Sequence, residues 1–196
     1  MFRKGKRSVG LCISSKDILI VEVHISSSSQ VSIDNIGVAE LPSDAFRDDN
    51  TINVPIVSRL IRELLSESRI KTKEISLTIS TVNNVIMRSL VLPYMPKKEM
   101  LEALKGEVEN YALLSSDDPI IDFQIIDQKV GGTGQKSEVL FAATPKSLIR
   151  SYIAAVESAN LKISAIEVMP ISLLRALAYI SAKEEGIDEE QEKDEL

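Results

Sequence analysis

Two short stretches and a few isolated side chains have the residue types that chemistry requires. The first stretch is GGTGQKS, residues 131–137, where glycines precede a lysine and a serine. A phosphate-binding loop needs G-x-x-x-x-G-K-[ST] between a strand and a helix, because the amides that open the helix bind the phosphates. Here Gln135 stands before Lys136 and a strand-forming run follows, so Gly131, Gly134, Lys136 and Ser137 read as a hairpin turn. The second stretch, GLCISSKDILIVEV from Gly10 to Val23, reads as strand, tight polar turn and strand, and its turn is a candidate phosphate cradle. His24 is the lone histidine, on a strand between Val23 and Ile25, and Cys12 is the lone cysteine. One cysteine excludes an intrachain disulfide and a cysteine-rich metal site, and Cys12 in an apolar strand reads as a small hydrophobe. Glu107 and Glu109 do not make a glycosidase pair on sequence grounds. No catalytic constellation, metal set or cofactor is expected.

The elements that must position these residues follow from periodicity. Runs at Val9–Ile13, Ile18–Ile25 and Val31–Leu41, separated by SSKD and SSSSQ, predict an antiparallel meander. A helix follows, with Asn53 as its cap, Pro55 in its first turn, and Val57, Leu60, Ile61 and Leu64 on one face. Alternating Ile75, Leu77 and Ile79 predict a strand with one buried face, completing a βββαβ unit. The next strand, NVIMRSLVLP, is stopped by Pro93. A second helix over 96–114 sets Leu101, Leu104, Val108 and Tyr111 on one face. IDFQIID and SEVLFAAT form a hairpin, and a third helix is capped by Thr144, opened by Pro145 and stopped at Asn160, with Leu148, Tyr152 and Val156 inward. This second unit is βαββα, an insertion within the first. LKISAIEVM and PISLLRALAYISAK, a strand and a helix opened by Pro170, return to the first unit.

Bulk properties narrow the function classes. At 196 residues, 44% of them hydrophobic, the chain can bury a core without covalent staples. Residues 183–196 hold eight acidic and two basic side chains, so this tail carries the whole net charge of −6 and is expected to be disordered. The neutral body lacks the basic stripe a nucleic-acid protein needs. No run approaches the roughly 18 apolar residues of a membrane span, and MFRKGKRS lacks the apolar segment of a secretion signal. The terminal Lys193-Asp194-Glu195-Leu196 matches an endoplasmic-reticulum address but means nothing without an entry signal. The four basic residues among the first seven read as a solvated arm, with contact to anionic lipid as the alternative.

Four motifs in order, VGLCISSKDILIVEV, VIMRSLVLPYM, LKGEVENYALLSSDDPIIDFQII and VLFAATPKSLIRSYIAAVESANLKISAIEVMPISLLRAL, resemble the PilM family of type IV pilus assembly proteins over residues 8–180. A cytoplasmic module of type II secretion and the cell-division protein FtsA share that architecture. The resemblance implies an α/β, actin-like (RNase H-like) fold. Subdomain 1A would be 8–82 with 161–182, and the inserted subdomain 1C 83–160, between a basic arm at 1–7 and the acidic tail at 183–196. It covers only the first half of the family, so the second actin-like half is expected to be absent; a shortened member, a split gene product and a truncated chain all remain open.

Against nucleotide-binding relatives of the form GLDIGSSSVK, Cys12 stands for the magnesium-positioning Asp, Ser14 for Gly, and Lys16 and Asp17 for a Ser pair, with only Ser15 kept. A thiol is a poor ligand for Mg²⁺, and Ser14 adds a Cβ where the chain should approach phosphate. The implied hairpin is therefore degenerate. The resemblance further implies a non-catalytic cytoplasmic scaffold, peripheral to the inner membrane through its partner. That partner is the short N-terminal cytoplasmic peptide of a PilN-like single-span inner-membrane protein, held in the 1A/1C groove, with other pilus components possible as partners. Arg88, Leu90, Leu92, Pro93, Leu104, Glu107 and Tyr111 are the implied lining, although Leu90, Leu104 and Tyr111 read equally well as core. Family members continue after the tyrosine with IPF where this chain has Ala112-Leu113-Leu114. The competing readings are an ATP-binding, FtsA-like protein that forms filaments or serves cell division, and an RNase H-like nuclease, which would need an Asp where Cys12 stands.

Overall fold

Strict alternation of aliphatic side chains builds the larger of two sheets. Lys6–Ile13 (β1) turns Val9, Leu11 and Ile13 inward, and Asp17–Ile25 (β2) turns Ile18 and Ile20 the same way. Val31–Glu40 (β3) completes the antiparallel meander. Glu74–Ile79 (β4) pairs parallel with β1 and buries Ile75, Leu77 and Ile79, and Lys162–Val168 (β8) pairs parallel with β4. The sheet order is β3-β2-β1-β4-β8. The chain is described by a computed structural model over residues 6–26, 30–79, 85–111, 118–131 and 134–184. The acidic stretch 185–196, most of the basic arm, the tip of SSSSQ and Ala112-Leu113-Leu114 lie outside the described residues. Lys6 and Arg7, read from the sequence as arm, already belong to β1.

Between β3 and β4 runs Val54–Glu67 (α1), whose Val57, Ile61, Leu64 and Leu65 lie at helical spacing and are buried on the sheet. Asn53 occupies its cap, yet the Asn53 amide donates to the Asp44 carbonyl at 3.0 Å instead of capping a helix amide. Among the described residues, one charged side chain enters this inner layer. Glu22 is 4% exposed and accepts hydrogen bonds from the Thr72 hydroxyl at 2.7 Å and the Asn35 amide at 2.8 Å. Those bonds, Thr72 first, hold its carboxyl below the usual range against the opposing effect of burial.

The smaller sheet has order β5-β7-β6, from Ile86–Pro93 (β5), Pro119–Gly131 (β6) and Gly134–Pro145 (β7), all antiparallel. Lys97–Val108 (α2) packs on one of its faces through Met100, Leu104 and Val108, against Val139, Phe141 and Ala143. This helix is shorter than the sequence predicts. Met100 replaces Leu101 on the buried face, because spacing of four through Leu104 to Val108 sets the stripe. Tyr111 lies beyond the helix end, its amide donating to the Val108 carbonyl at 3.0 Å.

Lys146–Ser158 (α3) also departs from expectation at its start. Thr144 remains in β7 and Pro145 takes the cap position without a side-chain cap bond. The extended Pro145 backbone, φ −56° and ψ 136°, delays the first helical residue to Lys146. Ser158 is its last helical residue and Ala159 its cap, and the predicted stop, Asn160, follows directly with a left-handed φ of 59°. Its buried residues Leu148, Ile149, Tyr152, Ala155 and Val156 join the core of the five-stranded sheet, beside α1. Although it follows the inserted hairpin, α3 packs with the first unit. Met169–Glu184 (α4) ends the described chain.

Candidate functional site

The turn between β1 and β2 is closed on itself. The Ser14 hydroxyl accepts from the backbone amides of Lys16 and Asp17, each at 3.0 Å, and donates to the Asp17 carboxylate at 2.6 Å. The amides that a phosphate-binding turn would present outward are thus occupied by its own side chain. Ser15 and Lys16 are exposed, while Cys12 is half-buried. Burial, and secondly the charge of Asp17, push the Cys12 thiol above its usual pKa, which keeps it neutral.

GGTGQKS is a hairpin connection. Gly131 pairs with Gly134 across the β6–β7 turn, Lys136 pairs with Pro93 of β5, and Ser137 is buried in the strand. His24 is half-buried on β2 opposite Arg7. Among the described residues, no group of three or more His, Cys, Asp or Glu could hold a metal ion.

A concave feature lies between the two sheets. A cleft of about 610 Å³ is walled on one side by Thr78 of β4 and Ala165–Val168 of β8, and on the other by Met87, Ile120, Leu140 and Ala142 of the smaller sheet. Pairing explains the second wall. Met87 lies opposite Ala142 and Ile120 opposite Thr144, so the face turned away from α2 delivers side chains from all three strands to one surface. A polar rail runs along the other wall. The Ser172 hydroxyl donates to Glu167 at 2.7 Å and lies 3.2 Å from the Thr78 hydroxyl, and Arg175 meets Glu167 at 3.1 Å. Among the lining side chains, Glu167 is held by Ser172 and Arg175, and the smaller sheet contributes a second carboxylate, Asp122, and the Gln124 amide beside its apolar residues.

None of the seven residues implied as groove lining falls in this cleft. Leu104 is fully buried under the α2 side of the smaller sheet, and Leu90 and Leu92 pack against the same cluster. Arg88 is exposed and pairs with Phe141, which places it on the α2 side too; Pro93 is exposed at the strand end. Glu107 and Tyr111 are half-buried at the end of α2. The sequence did carry a signal for the cleft. Residues Val139 to Ala143 are apolar without alternation, which marks a strand whose two faces both meet something: Val139 and Phe141 meet α2, Leu140 and Ala142 the cleft.

The family described as type IV pilus assembly protein PilM matches residues 10–189. The chain belongs to the PilM family. Among solved structures, the PilM of a PilM–PilN type IV pilus biogenesis complex is similar with a TM-score of 0.74 and 24% identity, covering 90% of this chain. The match covers 51% of that PilM chain, so this chain spans about half its length. The cytoplasmic domain of EpsL, an inner-membrane component of the Vibrio cholerae type II secretion system, gives a TM-score of 0.49 and 12% identity, over 83% of this chain and 57% of that one. The ethanolamine utilization protein EutJ from Carboxydothermus hydrogenoformans gives 0.42 and 11%, over 88% and 40%. Similarities as low as these two carry no weight for function. No curated protein matches the sequence. The fold is the actin-like α/β fold of PilM, and among the described residues no helix is long and apolar enough to cross a membrane.

Proposed function

We propose that this chain is a non-catalytic, cytoplasmic scaffold of a type IV pilus assembly machine, whose cleft takes a short extended peptide from the N-terminus of a PilN-like inner-membrane protein. That capture would hold the chain at the inner membrane. The observation that carries the reading is the cleft itself, in a member of the PilM family: apolar on the smaller sheet through Met87, Ile120 and Leu140, and polar along Thr78 and Glu167. Extended peptides are recognised by pockets for alternate side chains and by pairing to a free strand edge. β8 ends its sheet and lines the cleft, so it offers such an edge. The self-satisfied Ser14 turn and the neutral Cys12 thiol support a role without Mg-ATP.

The test is fluorescence anisotropy with a labelled N-terminal peptide of the PilN-like protein. Met87→Glu and Ala142→Arg, one on each of two cleft strands, should each weaken binding at least tenfold, while Arg88→Glu and Tyr111→Ala should leave it within twofold. Loss in Arg88→Glu or Tyr111→Ala alone would move docking to the α2 side. Indifference in all four would sink the peptide reading.

A further inference from the structure

The smaller sheet turns one face to the cleft, and its strand register fixes what that face offers. Met87 of β5, Ala142 of β7 and Asp122 of β6 lie directly opposite one another, so a single row runs from a thioether through a methyl group to a carboxylate. All three line the cleft. Adjacent strands are about 4.8 Å apart, which puts the two ends of the row on the order of 10 Å from each other. Leu140 and Thr144, the β7 residues on either side of Ala142 on this face, line the cleft too, so the small alanine leaves a hollow between larger neighbours.

Among the described residues, one charge lining this cleft has no counter-ion. Across the cleft Glu167 is held by Ser172 and Arg175, and Lys146 at the start of α3 is bound to Asp118 at 2.8 Å. Asp122 makes no such pair; its Oδ1 accepts from the Phe123 amide at 2.9 Å. The next charged residues outward on this face, Glu138 opposite Asp127, are acidic too. Lysines come only one row further, at Lys136 opposite Lys129 near the hairpin end.

We propose that the peptide taken by the cleft carries a basic side chain, lysine or arginine, whose aliphatic stem crosses Ala142 beside Met87 and whose charged end meets Asp122. The proposal rests on the peptide reading above and adds to it the residue type that the cleft selects. A basic side chain is apolar along its stem and charged at its tip, which is the order of groups along this row. The source supplies such residues, because cytoplasmic segments close to the span of an inner-membrane protein are enriched in Lys and Arg. The pair would also fix the register of an extended peptide, since a slip of one residue turns the basic side chain to the opposite face and leaves Asp122 unmatched.

Fluorescence anisotropy of the full chain tests the assignment, with the N-terminal peptide of the PilN-like protein acetylated at its N-terminus and labelled at its C-terminus, so that its only cations are side chains. Asp122→Asn keeps an acceptor for the Phe123 amide and removes the charge. It should weaken binding about five- to tenfold. Replacing the Lys and Arg of the peptide by glutamine should cost as much in the unaltered chain, with no further loss in Asp122→Asn. Asp122→Lys should reverse the preference, favouring a peptide with glutamate at those positions. Asp118→Asn, an equal change of charge at a group paired with Lys146, should stay within twofold. An effect of Asp122→Asn below twofold, or a glutamine peptide that binds as tightly as the original, would overturn the proposal. Ala142→Arg separates the two failures: if it still weakens binding, the peptide reading stands without the basic residue, and if it too is indifferent, both fall together.

Discussion

The two faces of the five-stranded sheet are made by the same strands, one residue out of step, and they differ in every physical respect. Inward lie Val9, Leu11, Ile13, Ile18, Ile20, Ile75, Leu77 and Ile79, none more than 2% exposed, under two helices. Outward lie Gly10, Cys12, Leu19, Val21, Ile36, Val38, Ser76 and Thr78, a mixture of apolar and hydroxyl side chains with one helix tied to two strands. The inner face holds the fold together by removing aliphatic surface from water. The outer face keeps apolar surface in reserve, which a protein exposes chiefly where something else will cover it.

The sharpest test of that division is Leu77→Ala. Leu77 is fully buried on β4, between β1 and β8, and its truncation leaves a cavity that the close-packed layer cannot fill. Urea unfolding should show a loss of about 3 kcal/mol, against less than about 0.5 kcal/mol for Val38→Ala on the outer face of β3. Equal losses would mean that the outer face is as tightly covered in solution as the inner.

Alkaline titration probes the dryness of the inner layer. Tyr152 on α3 is 4% exposed, and burial, with a smaller contribution from Cys12, pushes its hydroxyl up to about 12 from the usual 10. Between those values the unfolded chain releases the tyrosine proton while the folded chain keeps it, so stability is full below pH 10 and falls as pH rises toward about 12. The loss should reach about 2 kcal/mol beyond that of Tyr152→Phe, measured by chemical unfolding at stepped pH. Identical pH profiles for the two proteins would show that water reaches the Tyr152 hydroxyl.

Much of this organisation is legible in the residues because period and burial are locally coupled. Val57, Ile61 and Leu64 identify the buried face of α1, and Ile75, Leu77 and Ile79 that of β4, without knowledge of what lies opposite. The limit appears where the partner matters. The spacing of Leu148, Tyr152 and Val156 shows that α3 has an inner face, but not that this face packs beside α1 rather than on the preceding hairpin. In α2 a phase choice between Met100 and Leu101 turns on which residue meets Phe141. The cleft was the least legible, since Thr78, Met87, Ile120 and Leu140 come from four strands of two sheets and no linear pattern joins them. The seven residues implied by family resemblance cluster instead around the α2 side.

A matched pair of glycines gives the finest comparison, because one substitution is read on both faces. Gly37 of β3 lies inward, where a Cβ would run into the Ser68 hydroxyl and come within 2.9 Å of Leu64 Cδ1. Both neighbours belong to the end of α1, so the helix must shift to admit even one methyl group, and Gly37→Ala should cost about 1–2 kcal/mol. Gly10 of β1 lies outward with open space around it, and alanine there restricts the unfolded chain more than the folded one. Gly10→Ala should therefore stabilise by about 0.5 kcal/mol in urea unfolding. A cost at Gly10 comparable to that at Gly37 would show that the outer face of β1 is covered in solution, and would erase the difference between the two faces at this strand.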